Sequence, residues 1–186
     1  LQSRRGVGTR LVPHTQPKRL TSAAGDPLHA GLGTTVRVVS MGPKEPPAEV
    51  REFLGSDERG VMRLVRLHTL DGAPLSVVVT WLPMQYADGI TGKTLRRSSL
   101  HELLWRRHGL LQKRSVHRIG VARADTMVAS LLGVAIADPV LHVQSSAYLD
   151  DGRPIRWTDN YFREERFAYQ AEIAWKKPSR AWGAQQ

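Results

Sequence analysis

The spacing of hydrophobic and polar positions changes several times along the chain, and the changes mark out its elements. Residues 10–33 are rich in Pro, Gly and small polar side chains, which predicts a linker with turns. "TTVRVVSM" (34–41) predicts a strand, and "PKEPPAEVREFLG" sets prolines ahead of a short helix that Gly55 closes. "VMRLVRLHTL" and "LSVVVTWL" predict the two strands of a hairpin, with Asp71-Gly72 at the tip of a "DGAP" turn. "SSLHELLWRRHG" predicts a helix. Ser99 with Glu102 three residues on fits a capping box, and Gly109 supplies the stop. "LLQKRSVHRIGVA" is strand-like. "ADTMVASLLGV" predicts another helix, capped by Asp125, with Met127, Leu131 and Leu132 on one face. "PVLHVQSSAYL" and "RPIRWTDNYF" form a second hairpin around Asp151-Gly152, and "FAYQAEIAW" is a last strand. The sum is an α+β fold of antiparallel hairpins with a few helices packed against them.

Alternation also sorts side chains between the faces of each strand. On the first hairpin Met62, Leu64, Arg66 and His68 share a face, so two groups able to carry positive charge stand among apolar neighbours. Such a face is either a sheet edge in water or the wall of a pocket. On the second hairpin Arg156, Thr158, Asn160 and Phe162 share one face, and Ile155, Trp157, Asp159 and Tyr161 the other. A sheet that only packed a core would alternate more cleanly.

Composition narrows the classes. With 186 residues and 41% hydrophobic content, the chain can bury one core of about 150 residues, with ragged ends. It has no cysteine, which excludes disulfide scaffolds, thiolate metal sites and cysteine nucleophiles and fits a reducing cytosol. No apolar run approaches the ~18 residues of a membrane span. The chain opens on "LQSRRGVGTR", without an initiator methionine or a secretory pattern, and reads as a fragment of a longer protein. Net charge is +10, and half of it sits on Arg4, Arg5, Arg10, Lys18 and Arg19, with no acid among them. A basic arm of this kind either contacts phosphates or is a solvated terminus. "KKPSRAWGAQQ" reads as a loose C-terminal tail.

The usual catalytic signatures are missing: no HExxH, GxSxG, P-loop, or GxGxxG opening a βαβ unit. The histidines are scattered, and His101 and His108 lie two helical turns apart, too far to share one metal. No metal or cofactor is implied. Aromatic residues do not interleave with the basic arm, as a stacking platform for nucleic acid would need. A non-specific nucleic-acid module is therefore disfavoured, and so is an enzyme.

Four segments together resemble a known family. "YLDDGRPIRWTDNYFREERF" resembles the closing signature of the UTRA domain, the effector-binding domain of GntR-type regulators of the HutC subfamily. "RLVRLHTLDGAPLSVVVTWLP" resembles its earlier Arg-x-Arg strand, D-G-x-P turn and return strand, and "SSLHELL" its S-L-Y-E-L-L helix start. "SRRGVGTRL" is similar to the wing of the winged helix-turn-helix head that precedes the domain. The resemblance implies a chorismate-lyase-like fold, an antiparallel sheet flanked by helices. A lyase-type enzyme on the same fold is the alternative. It also implies a wing remnant and linker over 1–17, an effector domain over 18–175 and a tail over 176–186. The expected protein is a cytoplasmic, homodimeric regulator, expected to be a repressor, that binds operator DNA through a head absent from this chain.

The resemblance also assigns residues. "LTSAAGDPL" (20–28) stands where relatives grip an anion with backbone amides, which gives the role to Ser22, Ala23 and Ala24; a plain linker is the other reading. The family's anion clamp falls on Arg66 and on His68, which replaces an arginine and makes half the clamp pH-dependent. Ser99 matches the helix-start serine, and His101 replaces a tyrosine. Val78 and Arg156 replace glutamates and Phe162 a tyrosine, so an amino-sugar phosphate is disfavoured against a small anion with an apolar remainder. On the wing, Arg4, Arg5, Gly6 and Arg10 are the expected DNA contacts.

Overall fold

In the computed structural model, residues 33–55 and 59–167 are described in full, together with the backbone of short strands at 2–4, 8–10, 17–19 and 168–170. The chain runs β1 (Gln2–Arg4), β2 (Gly8–Arg10), β3 (Pro17–Arg19), β4 (Thr35–Pro43), α1 (Ala48–Leu54), β5 (Val61–Leu70) and β6 (Ala73–Pro83). It continues with α2 (Gly92–Leu95), α3 (Leu100–His108), β7 (Arg114–Arg123), α4 (Thr126–Leu132), β8 (Pro139–Tyr148), β9 (Pro154–Phe162) and β10 (Ala168–Gln170). A six-stranded sheet in the order β4-β5-β6-β9-β8-β7 is antiparallel throughout. Separately, β1 pairs antiparallel with β2, and β3 pairs in parallel with β10.

Local chemistry explains most boundaries. Asp71 (φ 52°) and Gly72 (φ 76°) both take left-handed backbone, the two-residue turn whose twist matches its flanking strands. Ser99 Oγ accepts the Glu102 N–H at 3.1 Å and starts α3. The Glu102 carboxylate goes to Arg106 at 2.8 Å, so the expected capping box is realised on the serine side. Gly109, left-handed at φ 67°, closes the helix. Asp125 Oδ1 accepts the Val128 N–H at 2.7 Å and caps α4.

Other boundaries differ from the sequence reading. The buried stripe of α4 is Val128, Ala129 and Leu132, with Met127 and Leu131 flanking it. A seven-residue helix offers one narrow face, and the sheet below selects the i, i+1, i+4 set. β3 lies within the expected linker, because pairing with β10 supplies a partner that local composition does not reveal. β7 starts at Arg114, so "LLQK" precedes the strand. The short helix α2 was not expected; a Thr91–Thr94 capping box starts it.

The two faces of the sheet are covered differently. Val65, Leu67, Val77, Val79, Trp81 and Trp157 pack against α1 and α4 through Val50, Val128 and Leu132. On the opposite face, Met62, Leu64 and Leu82 meet Leu100, Leu103 and Leu104 of α3. Further along that face, Leu75, Val143, Phe162 and Phe167 form a separate apolar group. Leu132→Ala, at a fully buried position, is expected to cost about 2–5 kcal/mol in chemical denaturation. Ile136→Ala, at a position 65% exposed, should stay within about 0.5 kcal/mol. Equal costs would show that α4 does not seal the core.

Candidate functional site

Residues directly opposite in an antiparallel pair share a face, so the registers can be read as rows across the sheet. One row runs Val38, Arg66, Val78, Asn160, Val143 and Ile119, from β4 to β7. The row on one side is Val36, His68, Ser76, Phe162, Leu141 and Val121. The row on the other side is Met41, Leu64, Thr80, Thr158, Ser145 and His117. Among the described residues the buried polar side chains are Arg66, His68, Ser76, Thr80, Ser145, Thr158 and Asn160, and every one lies on this face. They occupy the ground between the two apolar groups of that face. No acidic residue stands in these three rows.

Arg66 and His68 are 6% and 4% exposed, so their face is covered and is not a sheet edge in water. Arg66 Nη2 donates to Thr80 Oγ1 at 3.2 Å, and the Thr80 and Thr158 hydroxyls lie 3.4 Å apart. A polar path thus leads from β5 across β6 to β9. Asn160 Nδ2 donates to the carbonyl of Val143, its cross-strand partner, at 2.9 Å. Arg156, two residues before Thr158 on β9, donates from Nη2 to Gln112 Oε1 at 2.7 Å. Val78 and Phe162 are fully buried beside these groups. A buried guanidinium with a second cation-capable ring two residues away can meet an anion through charge-assisted hydrogen bonds.

The remaining expected residues fall as follows. Ser99 is the N-cap of α3, and His101 sits in the first turn of that helix. Ser22, Ala23, Ala24, Arg5 and Gly6 lie outside the described residues. Arg4 ends β1 and Arg10 pairs with Gln2 in the β1–β2 hairpin. The sequence reading did not assign Ser76, Thr80, Ser145, Thr158 or Asn160 to the site, although it put Thr158 and Asn160 on the face of Arg156. Ser76 and Thr80 flank Val78 at a spacing of two, so alternation alone could have found them. Gln112 stands in a loop, and only tertiary folding brings it to Arg156. On the opposite face, Asp159 takes His142 Nε2 at 2.9 Å and Trp157 Nε1 at 3.0 Å, while burial pushes the Tyr161 hydroxyl up to about 12. No group of three metal-capable side chains occurs among the described residues, and none of the described helices is long and apolar enough to cross a membrane.

The fold places the chain in a class: α+β domains built on one antiparallel sheet with helices packed against it. The effector domain of PhnF from Mycobacterium smegmatis superposes with a TM-score of 0.71 at 24% identity, covering 84% of this chain and 99% of that one. The UTRA domain model matches residues 29–168, and the chain belongs to the UTRA domain family. Among curated relatives, the HTH-type transcriptional regulator Rv0792c of Mycobacterium tuberculosis is 28% identical, over 78% of this chain and 55% of its own length. The HTH-type transcriptional regulator GmuR of Bacillus subtilis is 27% identical, over 70% of this chain and 55% of its own. The chain therefore spans about half the length of these relatives.

Burial first, and the Arg156 charge second, hold the His101 pKa below its ordinary value of 6.5. The folded domain then binds this proton more weakly than the unfolded chain does. The contribution of His101 is complete at neutral pH and declines as pH falls from about 6.5 through the lowered midpoint. In an NMR titration the His101 ring should titrate below 6.5, and Arg156→Gln should raise its midpoint. A midpoint at or above 6.5 in the unaltered protein would contradict the placement of these two groups.

Proposed function

We propose that this chain is the ligand-sensing part of a bacterial GntR-type transcription regulator of the HutC subfamily. It binds a small anionic effector and passes the binding state to a DNA-reading head. The observation that carries this reading is the buried polar ground of the sheet, which sets the Arg66 guanidinium and the His68 ring beside the Ser76, Thr80 and Thr158 hydroxyls. Arg66 and His68 are the anion clamp, the former through charge-assisted and, where geometry allows, bidentate hydrogen bonds. The amides of Ser22 to Ala24 add donors, while Ser99, His101 and Arg156 line the far side. Val78 and Phe162 form the apolar wall. The effector is accordingly a phosphate, phosphonate or carboxylate with an apolar or aromatic remainder. Binding, not turnover, is the activity.

The domain division is a wing remnant and linker over 1–17, the effector domain over 18–175 and a tail over 176–186. Arg4, Arg5, Gly6 and Arg10 belong to the wing and meet DNA phosphates in the intact, cytoplasmic repressor. The names of the matched relatives, HTH-type transcriptional regulators, support this reading. A two-fold dimer would match paired half-sites on an operator. The edge strand β7 supports one, with exposed Val116, Ile119 and Val121.

Two measurements test the reading. A melting-shift screen of small anions finds a stabilising ligand, since a ligand that binds only the folded state raises the apparent melting temperature. Calorimetry with that ligand then compares the unaltered protein with Arg66→Ala. The variant is expected to lose roughly 1.5–3 kcal/mol, about ten- to a hundredfold in affinity. An unchanged affinity, or a neutral or cationic ligand, would overturn the anion clamp. Light scattering at high protein concentration should give the mass of two chains, and a persistent monomer would remove the dimer.

A further inference from the structure

Asn160 is 1% exposed and stands in the same sheet row as Arg66, separated from it by Val78. Its Nδ2 donates to the Val143 carbonyl at 2.9 Å, and this bond fixes which way the amide points. The other end of the amide, Oδ1, is buried and has no hydrogen-bond partner. Buried amide oxygens are ordinarily satisfied, and an unmade bond at such a position calls for a partner from outside the chain. We propose, resting on the anion reading above, that Oδ1 of Asn160 accepts a hydrogen bond from an O–H or N–H group of the effector, and that this selects among anions.

The row sets the shape of that effector. Adjacent strands lie about 4.8 Å apart, so Arg66 and Asn160 are separated by roughly 10 Å at the backbone. Val78 fills the position between them, fully buried and unable to hydrogen-bond through its side chain. The neighbouring hydroxyls of Thr80 and Thr158 already engage Arg66 and one another. A ligand spanning this row presents its negative group to Arg66, a short hydrocarbon segment to Val78 and a donor to Asn160. An ether or carbonyl oxygen at the last position would face another acceptor, and a methyl group would leave Oδ1 unpaired. Asn160 thus separates ω-hydroxy or ω-amido anions from plain alkyl ones.

The test uses this chain and two matched series, ω-hydroxyalkyl phosphates of two to four carbons and the alkyl phosphates of equal length, titrated by calorimetry. At the best-fitting length the hydroxyl should raise affinity about five- to tenfold in the unaltered protein, as one made hydrogen bond implies. Asn160→Leu should abolish that preference and keep the alkyl phosphate within about twofold. Arg66→Ala should weaken both series alike. Equal affinities for the two series, or a preference that survives in Asn160→Leu, would overturn the role of Asn160 and leave the anion reading in place. So would a crystal structure with an ω-hydroxyalkyl phosphate bound, its hydroxyl directed elsewhere and Oδ1 satisfied by an ordered water alone. Binding of neither series would overturn the anion reading and this inference with it. If Asn160→Leu fails to fold, the comparison of the two series on the unaltered chain decides by itself.

Discussion

The pairing of β6 with β9 holds the structure together at its centre. Each strand belongs to a local hairpin, β5–β6 and β8–β9, that forms from neighbours in the sequence. The seam between the hairpins runs from Ser76↔Phe162 to Trp81↔Trp157 and joins segments some eighty residues apart. Closing it carries the loop-closure cost of everything between, so it must be repaid by burial on both sides of the sheet. On one side the return is plain: Val77, Val79, Trp81 and Trp157 disappear beneath α1 and α4, with Phe53 packed edge-on to Trp157 at 5.3 Å between centroids.

On the other side the seam joins polar groups. Val78 meets Asn160 and Thr80 meets Thr158, so the same contact that completes the fold assembles the candidate site. Hydroxyls, an amide and a guanidinium gain little from burial by themselves, and their cost falls when they bond one another. The Arg66–Thr80–Thr158 path and the Asn160–Val143 bond do part of this. The apolar groups at either end of the face supply the stability that the polar ground between them does not. A sheet selected for stability alone would fill these rows with aliphatic residues. Retaining polar groups at this position is what supports the proposal that this face recognises a ligand.

The arrangement also ties the site to both hairpins and to α3. Arg66 sits on β5, Thr80 on β6, Thr158 and Asn160 on β9, and His101 on α3, whose cap is Ser99. A ligand that contacts several of these elements favours the conformation in which they are correctly placed, and so stabilises one state over another. Coupling to a DNA-reading head needs such a difference in affinity between two states. A site drawn from separately anchored elements supplies more ways to make that difference than a site on one loop.

Much of this was legible in the sequence. Alternation put Met62, Leu64, Arg66 and His68 on one face and Arg156, Thr158, Asn160 and Phe162 on one face, because strand side chains have a period of two whatever the strand pairs with. The Asp-Gly turns, the Ser99 and Asp125 caps and the Gly109 stop were legible for the same reason: each is a property of a few consecutive residues. Local sequence left open whether the Arg66 face was wall or edge, which depends on what covers it. It could not bring Gln112 to Arg156, pair β3 with β10, or leave Asn160 Oδ1 without a partner. Those features belong to the tertiary structure, because they depend on which distant strands lie side by side, and many pairings satisfy the same local pattern. The sequence determined which residues could share a face; the β6–β9 seam decided which faces became one.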